Sequence, residues 1–392
     1  MEIVNITYRR RGTGFSVLKR CLYYYMKKYL ILLLVVCLSF SFIGCKKKAE
    51  ETDPPEMTDT EQVQTSSELA TEATTTNLPG TETAAPTETE AEPTETEPPL
   101  PSGDVEPLFP DRYPIAAMTN NTAAARPQSG LSKAKLIYQM MTEARTTRLL
   151  MLLDATEGVI GPVRSARPAY LDLVAQHQAF YVYAGNYRVI EASPVKNNIR
   201  ILDALKGHYG IYYRATHRKS PHNLYTTLEA AYKRAEKIYG SITPSKPVRG
   251  LYTRSEFLLP AGGEPATKLK YNFSDTKEAF KYNEKTQTYR KYNDGQVLVD
   301  EQTKKDLQIA NIIVLHRPHG LMPNGVHNKI NWVDQAEATY LTGGRKYTIT
   351  WKKASHTDPI IYYLDGEELV LNPGLTWIIV TDDRALNTVS YE

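Results

Sequence analysis

The 392-residue sequence predicts an α/β or α+β protein, in which a mixed sheet with packed helices is joined to a mainly antiparallel C-terminal sheet. Three observations support this fold class. The first half contains short apolar runs bounded by turn residues, which are typical of buried strands, and two stretches with helical spacing. The second half alternates polar and apolar residues around turns. Strands followed by interspersed helices favour helices packed on a mixed sheet.

The first half contains four predicted strands and two predicted helices. Apolar runs predict strands at 114–118, 136–141, 148–153 and 180–184. The spacing of Tyr170, Leu171 and Val174 predicts a helix over 168–177. Thr226 and Glu229 have the spacing of a capping box, which predicts a second helix over 228–238.

The second half is richer in predicted strands. Alternating tyrosines around a turn predict a hairpin over 280–292, and further strands are predicted at 311–315, 346–351 and 376–380. The dipeptide Asp365-Gly366 between two apolar runs is a strong hairpin signal. Prolines and glycines cluster over 245–268, so we expect one portion at 105–250 and another at 268–382.

The N-terminal sequence has the pattern of a bacterial lipoprotein signal. Lys27 and Lys28 precede a 14-residue uncharged run, and Gly44 stands before Cys45. Such a run is too short for a stable transmembrane helix, which needs about 20 residues. We therefore expect a signal over 1–44, with Met26 as a candidate start, cleavage before Cys45 and acylation of its thiol. This predicts a lipid-anchored protein on the extracytoplasmic face of the cell membrane of a Gram-positive cell.

Residues 45–104 are rich in Thr, Glu and Pro and contain no aromatic residue, which predicts a disordered tether. This tether has 15 acidic and 3 basic residues, whereas the remaining head has 37 basic and 28 acidic ones. A cationic head outside the membrane would be attracted to anionic wall polymers, lipid head groups or its own tether. The alternative is ordinary basicity spread over the surface. Nucleic acid is not an expected partner, because the compartment is wrong and no basic helix is present.

Three stretches in the first half concentrate residues that a fold alone does not require. They are ARPQSGL at 125–131, IGPVRSARP at 160–168 and RKSPHNLY at 218–225. With ITWKK at 349–353 and LNPGLTWI at 371–378, they make the sequence similar to the YerB-like family of bacterial lipoproteins, over about 114–381. The resemblance implies an α/β fold of two intimately joined portions outside the membrane, with no established reaction. The sequence departs from the family at 144–146, where a glycine-rich turn is usual, but Glu143 and Arg148 are present.

The arginines of these stretches predict a site for an anionic or sugar-like ligand. Guanidinium groups bind carboxylate or phosphate through two hydrogen bonds, and loops rich in Pro and Gly hold them rigidly. The candidate ligand-binding residues are Arg126, Gln128, Ser129, Glu143, Arg148, Arg164, Ser165, Arg167, Lys219, His222 and Asn223. The alternative is that the arginines brace the loops by bonding Glu143, Asp172 and backbone carbonyls.

The sequence gives less support to catalysis. His222 with Ser129 or Ser165 and Asp172 could form a hydrolytic triad, but no Gly-x-Ser-x-Gly pattern occurs. The eight histidines show no zinc-binding spacing, and neither a metal nor a cofactor is expected. We therefore interpret the protein as a membrane-anchored binding or scaffolding module of the cell envelope. Its predicted partners are the membrane, through the Cys45 lipid, and an anionic wall polymer or envelope protein. A hydrolase acting on a wall polymer is the alternative.

Overall fold

The computed structural model describes residues 101, 103–246 and 248–392. The predicted signal, the acylation site Cys45 and the predicted tether up to residue 100 lie outside these residues. Within the part that is described, no helix is both long and apolar enough to cross a membrane.

The described chain consists mainly of short strands. The strands before residue 272 are β1 (Val105–Pro107), β2 (Ile115–Asn120), β3 (Leu136–Met141), β4 (Thr147–Leu153), β5 (Val159–Ile160), β6 (Phe180–Tyr183), β7 (Arg200–Asp203), β8 (Tyr212–Arg214), β9 (Leu224–Thr227), β10 (Tyr252–Arg254), β11 (Glu264–Pro265) and β12 (Lys268–Tyr271). The later strands are β13 (Glu278–Asn283), β14 (Thr288–Asn293), β15 (Gln296–Val297), β16 (Ile309–His316), β17 (Gly320–Leu321), β18 (Asn328–Lys329), β19 (Asp334–Thr342), β20 (Arg345–Lys353), β21 (Ile361–Leu364), β22 (Glu367–Glu368), β23 (Val370–Leu371), β24 (Leu375–Thr381) and β25 (Ser390–Tyr391).

Helices contribute much less. The α-helices of the described residues are α1 (Leu171–Gln176), α2 (Arg188–Glu191), α3 (Leu228–Tyr239) and α4 (Asp383–Leu386). Single turns of 3-10 helix occur at Ala123–Ala125, Leu131–Lys133, Glu143–Arg145, Pro168–Tyr170, Lys196–Asn198 and Tyr209–Ile211. Only α3 exceeds two turns, so the predicted α/β class is corrected to a strand-rich fold with mixed sheets and few helices.

One large mixed sheet passes through both portions of the head. Its central order is β7–β6–β2–β4–β3–β24–β16–β19–β20–β21. Strand β24 lies between β3 and β16 and runs parallel to both, with Ile378 opposite Tyr138 on one side and Ile313 on the other. The strand at 376–380 was predicted within a mainly antiparallel C-terminal sheet, and its parallel pairing corrects that prediction. A branch of the sheet continues from β16 through β14 and β13 to β12.

Both faces of the central sheet are covered, which explains why its strands have continuous apolar runs. Along β2, Ala116 and Met118 pack on one face, whereas Ile115 and Ala117 pack on the other. The first face is completed by residues including Trp332 and the second by residues including Trp377. Each large apolar side chain buried here contributes about 1.5 to 3 kcal/mol to folding.

The local predictions agree with the observed elements in most cases. The strands predicted at 114–118, 136–141, 148–153 and 180–184 correspond to β2, β3, β4 and β6. The predicted capping box is wrong by one residue, because Thr226 is buried in β9. The hydroxyl of Thr227 caps α3 instead, accepting a hydrogen bond from the Ala230 amide.

Candidate ligand-binding site

The three stretches singled out in the sequence meet as adjacent loops. The Ser129 amide donates to the Gly161 carbonyl at 2.8 Å, and the Gly161 amide donates back at 3.2 Å. The Val163 amide donates to the Leu224 carbonyl at 2.7 Å. These backbone bonds join the first loop to the second and the second to the third, so the three stretches are neighbours in the fold.

Gly161 is required by the close approach of these loops. A Cβ atom at this position would lie 2.4 Å from the ring of Tyr225. Real Cβ contacts are never that short, because the atoms would overlap. The absence of a side chain at 161 therefore allows the Tyr225 ring to lie beneath the second loop.

Glu143 is shared by two arginines, and a third lies nearby. Arg167 donates from Nε to Glu143 Oε2 at 2.6 Å and from its terminal nitrogen to Oε1. Arg148 lies 3.5 Å from the same carboxylate, is 4% exposed and also donates to the Ser165 carbonyl. Among the described residues, the side chain of Arg164 donates only to the Pro221 carbonyl, at 3.2 Å. Arg148 and Arg167 are therefore both paired with Glu143, whereas half-buried Arg164 is not paired with a carboxylate among the described residues.

The electrostatics of this cluster follow from its excess of positive charge. Burial tends to raise the pKa of Glu143, but hydrogen bonds from Arg167 and its own backbone, with the charges of Arg167 and Arg148, hold it at about 2. Burial, together with the charges of Arg167 and Arg164, lowers the pKa of Arg148 to about 10. Burial and Arg167 also lower the pKa of Arg164. The three arginines repel one another, and a second anion placed beside them would reduce that repulsion.

The turn between Glu143 and Arg148 places ordinary residues in a backbone conformation that favours glycine. Ala144 and Arg145 both have left-handed backbone conformations, with φ of 54° and 56°. Arg145 is fixed by hydrogen bonds to Asp382 at 2.8 and 3.2 Å and to the Phe273 carbonyl at 2.7 Å. These contacts offset the cost of the unusual backbone, which is about 1 to 3 kcal/mol per residue.

A second carboxylate, Glu301, binds the first and third loops from the C-terminal portion. Its Oε2 accepts from Ser129 Oγ at 2.6 Å and from Tyr225 Oη at 2.9 Å. Its Oε1 accepts from His217 at 3.0 Å and from Arg218 at 2.8 Å. Burial raises the pKa of Glu301, but hydrogen bonds from Ser129, Arg218, His217 and Tyr225 outweigh it and hold that pKa at about 2.

Sequence reasoning did not identify Glu301 or its partners His217 and Arg218. Arg218 stands in the third stretch, but no local signal marks Glu301, which is 172 residues from Ser129 in the chain. The Ser129 hydroxyl is therefore occupied by Glu301. Gln128 is also held within the fold, since its side-chain amide donates to the Asn120 carbonyl at 2.8 Å. Asn223 also serves the fold, since its Oδ1 accepts from Arg214 at 2.9 Å.

A basic cavity of about 420 Å³ opens between the first and third loops. It is lined by Ala124, Arg126, His217, Arg218, Lys219, Ser220 and His222. None of these lining residues carries a carboxylate. The side chains of Arg126 and Lys219 form no hydrogen bond or ion pair with any residue that the structure describes. Cationic groups held at a cavity without counter-charges are suited to bind an anion.

His222 connects this basic cavity to the arginine cluster. Its Nδ1 lies 3.2 Å from the Asn120 side-chain nitrogen, which fixes the ring. Burial first, then the charges of Arg164 and Arg218, lower the pKa of His222. The surroundings of the ring therefore disfavour its charged form.

The structure does not assemble the hydrolytic triad considered from the sequence. The Ser129 hydroxyl donates to Glu301, and Asp172 pairs with His356 at 2.7 Å rather than with His222. Ser165 contributes its backbone carbonyl to Arg148. Among the described residues, no group of three or more His, Cys, Asp or Glu side chains could hold a metal ion.

Arg167 and Arg164 should respond differently to substitution. We expect Arg167→Gln to lower the free energy of unfolding by about 2 kcal/mol, because it leaves Glu143 with a weaker partner. Arg164→Gln should change it by less than about 1 kcal/mol, since only one bond to a carbonyl is lost. Urea denaturation of both variants measures this. Equal losses for the two would contradict the division between bracing and available arginines.

Comparison with known proteins identifies the family. The N-terminal domain of a protein of unknown function, DUF3048, matches residues 103–240, and the DUF3048 C-terminal domain matches residues 268–378. The chain belongs to this DUF3048 family.

A sequence relative and a solved structure that are similar to this chain are both YerB from Bacillus subtilis. The chain is 27% identical over 296 residues to "Putative lipoprotein YerB" of strain 168, covering 74% of this chain and 88% of that protein. The crystal structure of the B. subtilis YerB protein has a TM-score of 0.63 and 24% identity, covering 73% of this chain and 95% of that one. The resemblance to the YerB-like family is thereby confirmed, and the solved structure shares the fold.

Proposed function

We propose that this protein is a lipoprotein anchored through Cys45 to the outer face of the cell membrane, and that its head binds an anionic ligand of the cell envelope. The observation that carries the proposal is the basic cavity, in which Arg126 and Lys219 have no partner among the described residues. The cavity volume of about 420 Å³ is in the range typical of ligand sites.

Some of the basic residues are paired with carboxylates and others are not, and this difference supports ligand binding. Glu301 and Glu143 already neutralise Arg218 and Arg167, so these two shape the loops. Arg126, Lys219 and Arg164 remain to meet a ligand. Charge-assisted hydrogen bonds to phosphate or carboxylate are about twice as strong as neutral ones. The absence of an assembled triad at these loops favours binding over hydrolysis.

The anchoring part of the proposal depends on two independent observations. The sequence has a charged start, a short apolar run and a Gly44-Cys45 junction. The 27% identical relative from B. subtilis is named "Putative lipoprotein YerB". A lipid at Cys45 would place the cationic head among the anionic polymers of a cell wall.

Binding of a polyanion tests the proposal. We expect the full-length protein, purified in detergent, to bind inorganic polyphosphate in calorimetric titrations, with an affinity that falls as salt increases. Arg126→Gln/Lys219→Gln should weaken binding at least tenfold, because two charge-assisted contacts are lost. Lys233→Gln/Arg384→Gln removes two exposed charges elsewhere and is the matched control. Equal weakening by both double variants, or no binding by the natural protein, would refute the proposal.

A further inference from the structure

Arg126 lines both the basic cavity and a second, smaller cavity. The second cavity has a volume of about 150 Å³, and its lining includes Arg126, Thr122, Ser274, Thr276 and Glu278. It lies below the size of sites for drug-sized molecules, so it suits a small chemical group. One arginine therefore lines both cavities, and the second cavity also contains hydroxyl groups and a carboxylate.

The second cavity offers hydroxyl groups that are not used by the fold. The side chains of Thr122, Ser274 and Thr276 form no hydrogen bond with the residues that the structure describes. The hydroxyl oxygen of Thr122 is also buried. A buried polar atom without a partner costs about 1 to 3 kcal/mol, which favours a ligand or water that satisfies it.

Glu278 gives the second cavity a preference for hydroxyl donors over anions. Its carboxylate is 4% exposed and is held by Lys291 at 2.6 Å and by Tyr271 at 3.1 Å, both through Oε2. Its Oε1 accepts only from Gln139 within the described chain, at 3.0 Å. A carboxylate oxygen accepts about two hydrogen bonds, so Oε1 can take another from a ligand hydroxyl. A phosphate placed beside it would be repelled.

Arg126 forms no hydrogen bond or ion pair through its side chain with the described residues that line the second cavity. Arg145 also lines that cavity, but Asp382 and the Phe273 carbonyl already engage its guanidinium. Arg126 thus remains the available cation between a basic compartment and one lined with hydroxyl groups and a carboxylate.

We propose that the ligand is a phosphate ester of a small polyol, with its phosphate on Arg126 and Lys219 and its hydroxyl groups beside Thr122, Thr276 and Glu278. This inference rests on the proposed anion binding and specifies the chemical class of the ligand. The ester could be a free metabolite or one unit of a polymer, and both sources present the same phosphate and hydroxyl groups.

Calorimetric titration with glycerol 3-phosphate and with inorganic phosphate tests the inference on the full-length protein. We expect the ester to bind about tenfold more tightly, since each neutral hydrogen bond contributes roughly three- to fivefold. Thr122→Val/Thr276→Val should reduce this ratio to about one while leaving affinity for inorganic phosphate unchanged. Thr348→Val/Thr350→Val, on an exposed face of β20, is the matched control and should keep the ratio.

The possible results separate the two proposals. Equal binding of both phosphates by the natural protein, or a tenfold ratio that survives in Thr122→Val/Thr276→Val, would overturn the polyol inference alone. Absence of binding for both compounds and for polyphosphate would overturn anion binding and the polyol inference together. To separate a free ester from a polymer, poly(glycerol phosphate) should compete with glycerol 3-phosphate for the same site. Tighter binding of the polymer would identify the polymer as the source.

Discussion

Lys291→Met is expected to lower the free energy of unfolding by about 3 to 5 kcal/mol, because it leaves a buried carboxylate without its counter-charge. The side chains of Lys291 and Glu278 are 0% and 3% exposed, and their charged atoms lie 2.6 Å apart. The ammonium also lies 4.6 Å from the ring centre of Phe280 and 5.2 Å from that of Trp377. Urea denaturation monitored by tryptophan fluorescence measures the loss.

A double variant separates the ion pair from simple packing. Lys291→Met/Glu278→Leu replaces both charges by apolar groups of similar size and should be much closer to the natural protein in stability. The coupling between the two substitutions should therefore be several kcal/mol. If the double variant is at least as unstable as Lys291→Met alone, the loss comes from packing and the explanation is wrong.

Glu301→Gln is expected to destabilise the protein by about 3 kcal/mol at pH 7, because Arg218 then lacks an anionic partner. The effect should depend on pH. The folded-state pKa of Glu301 is about 2, below its usual 4.5, so its contribution is fully present above pH 4.5. That contribution is lost as the pH falls from 4.5 towards 2. The difference in stability between the natural protein and Glu301→Gln should therefore disappear over this interval.

The exposed Glu337 provides the control for this pH dependence. Glu337→Gln should change stability by less than about 0.5 kcal/mol at every pH, as is usual for surface substitutions. Acid titrations of urea denaturation for the three proteins give the comparison. A loss in Glu301→Gln that stays constant down to pH 2 would show that the carboxylate charge is not responsible.

The elements that were predicted correctly have signals contained within a few residues. Continuous apolar runs predicted β3 and β4, because these strands are buried on both faces. Asp365-Gly366 predicted a hairpin, and both residues have the positive φ angles, 52° and 87°, that its turn requires. The parallel pairing of β24 was not predictable, because the partners of a strand depend on distant residues that leave no local pattern.

The same distinction applies to the candidate site. The Pro- and Gly-rich composition of the loops marked Arg126, Arg164 and Arg167, but not which of them would be paired. Arg167 has Glu143 within reach, and that proximity results from the tertiary fold. Glu301 was missed for the same reason, since a carboxylate in a polar loop has no sequence pattern that distinguishes it from a solvated one.

The position of β24 has a consequence for how the chain acquires its structure. Strand β24, at 375–381, lies between β3, near the start of the head, and β16. The two parts of the central sheet are therefore joined only when this late strand pairs with both. A chain emerging N-terminus first cannot complete its core until residue 381 is free to pair. Pairings over such sequence separations are slow, and unpaired apolar strands aggregate easily. We therefore expect that neither the 105–250 segment nor the 268–382 segment, produced alone, completes the central sheet, because each lacks strands that pair across β24.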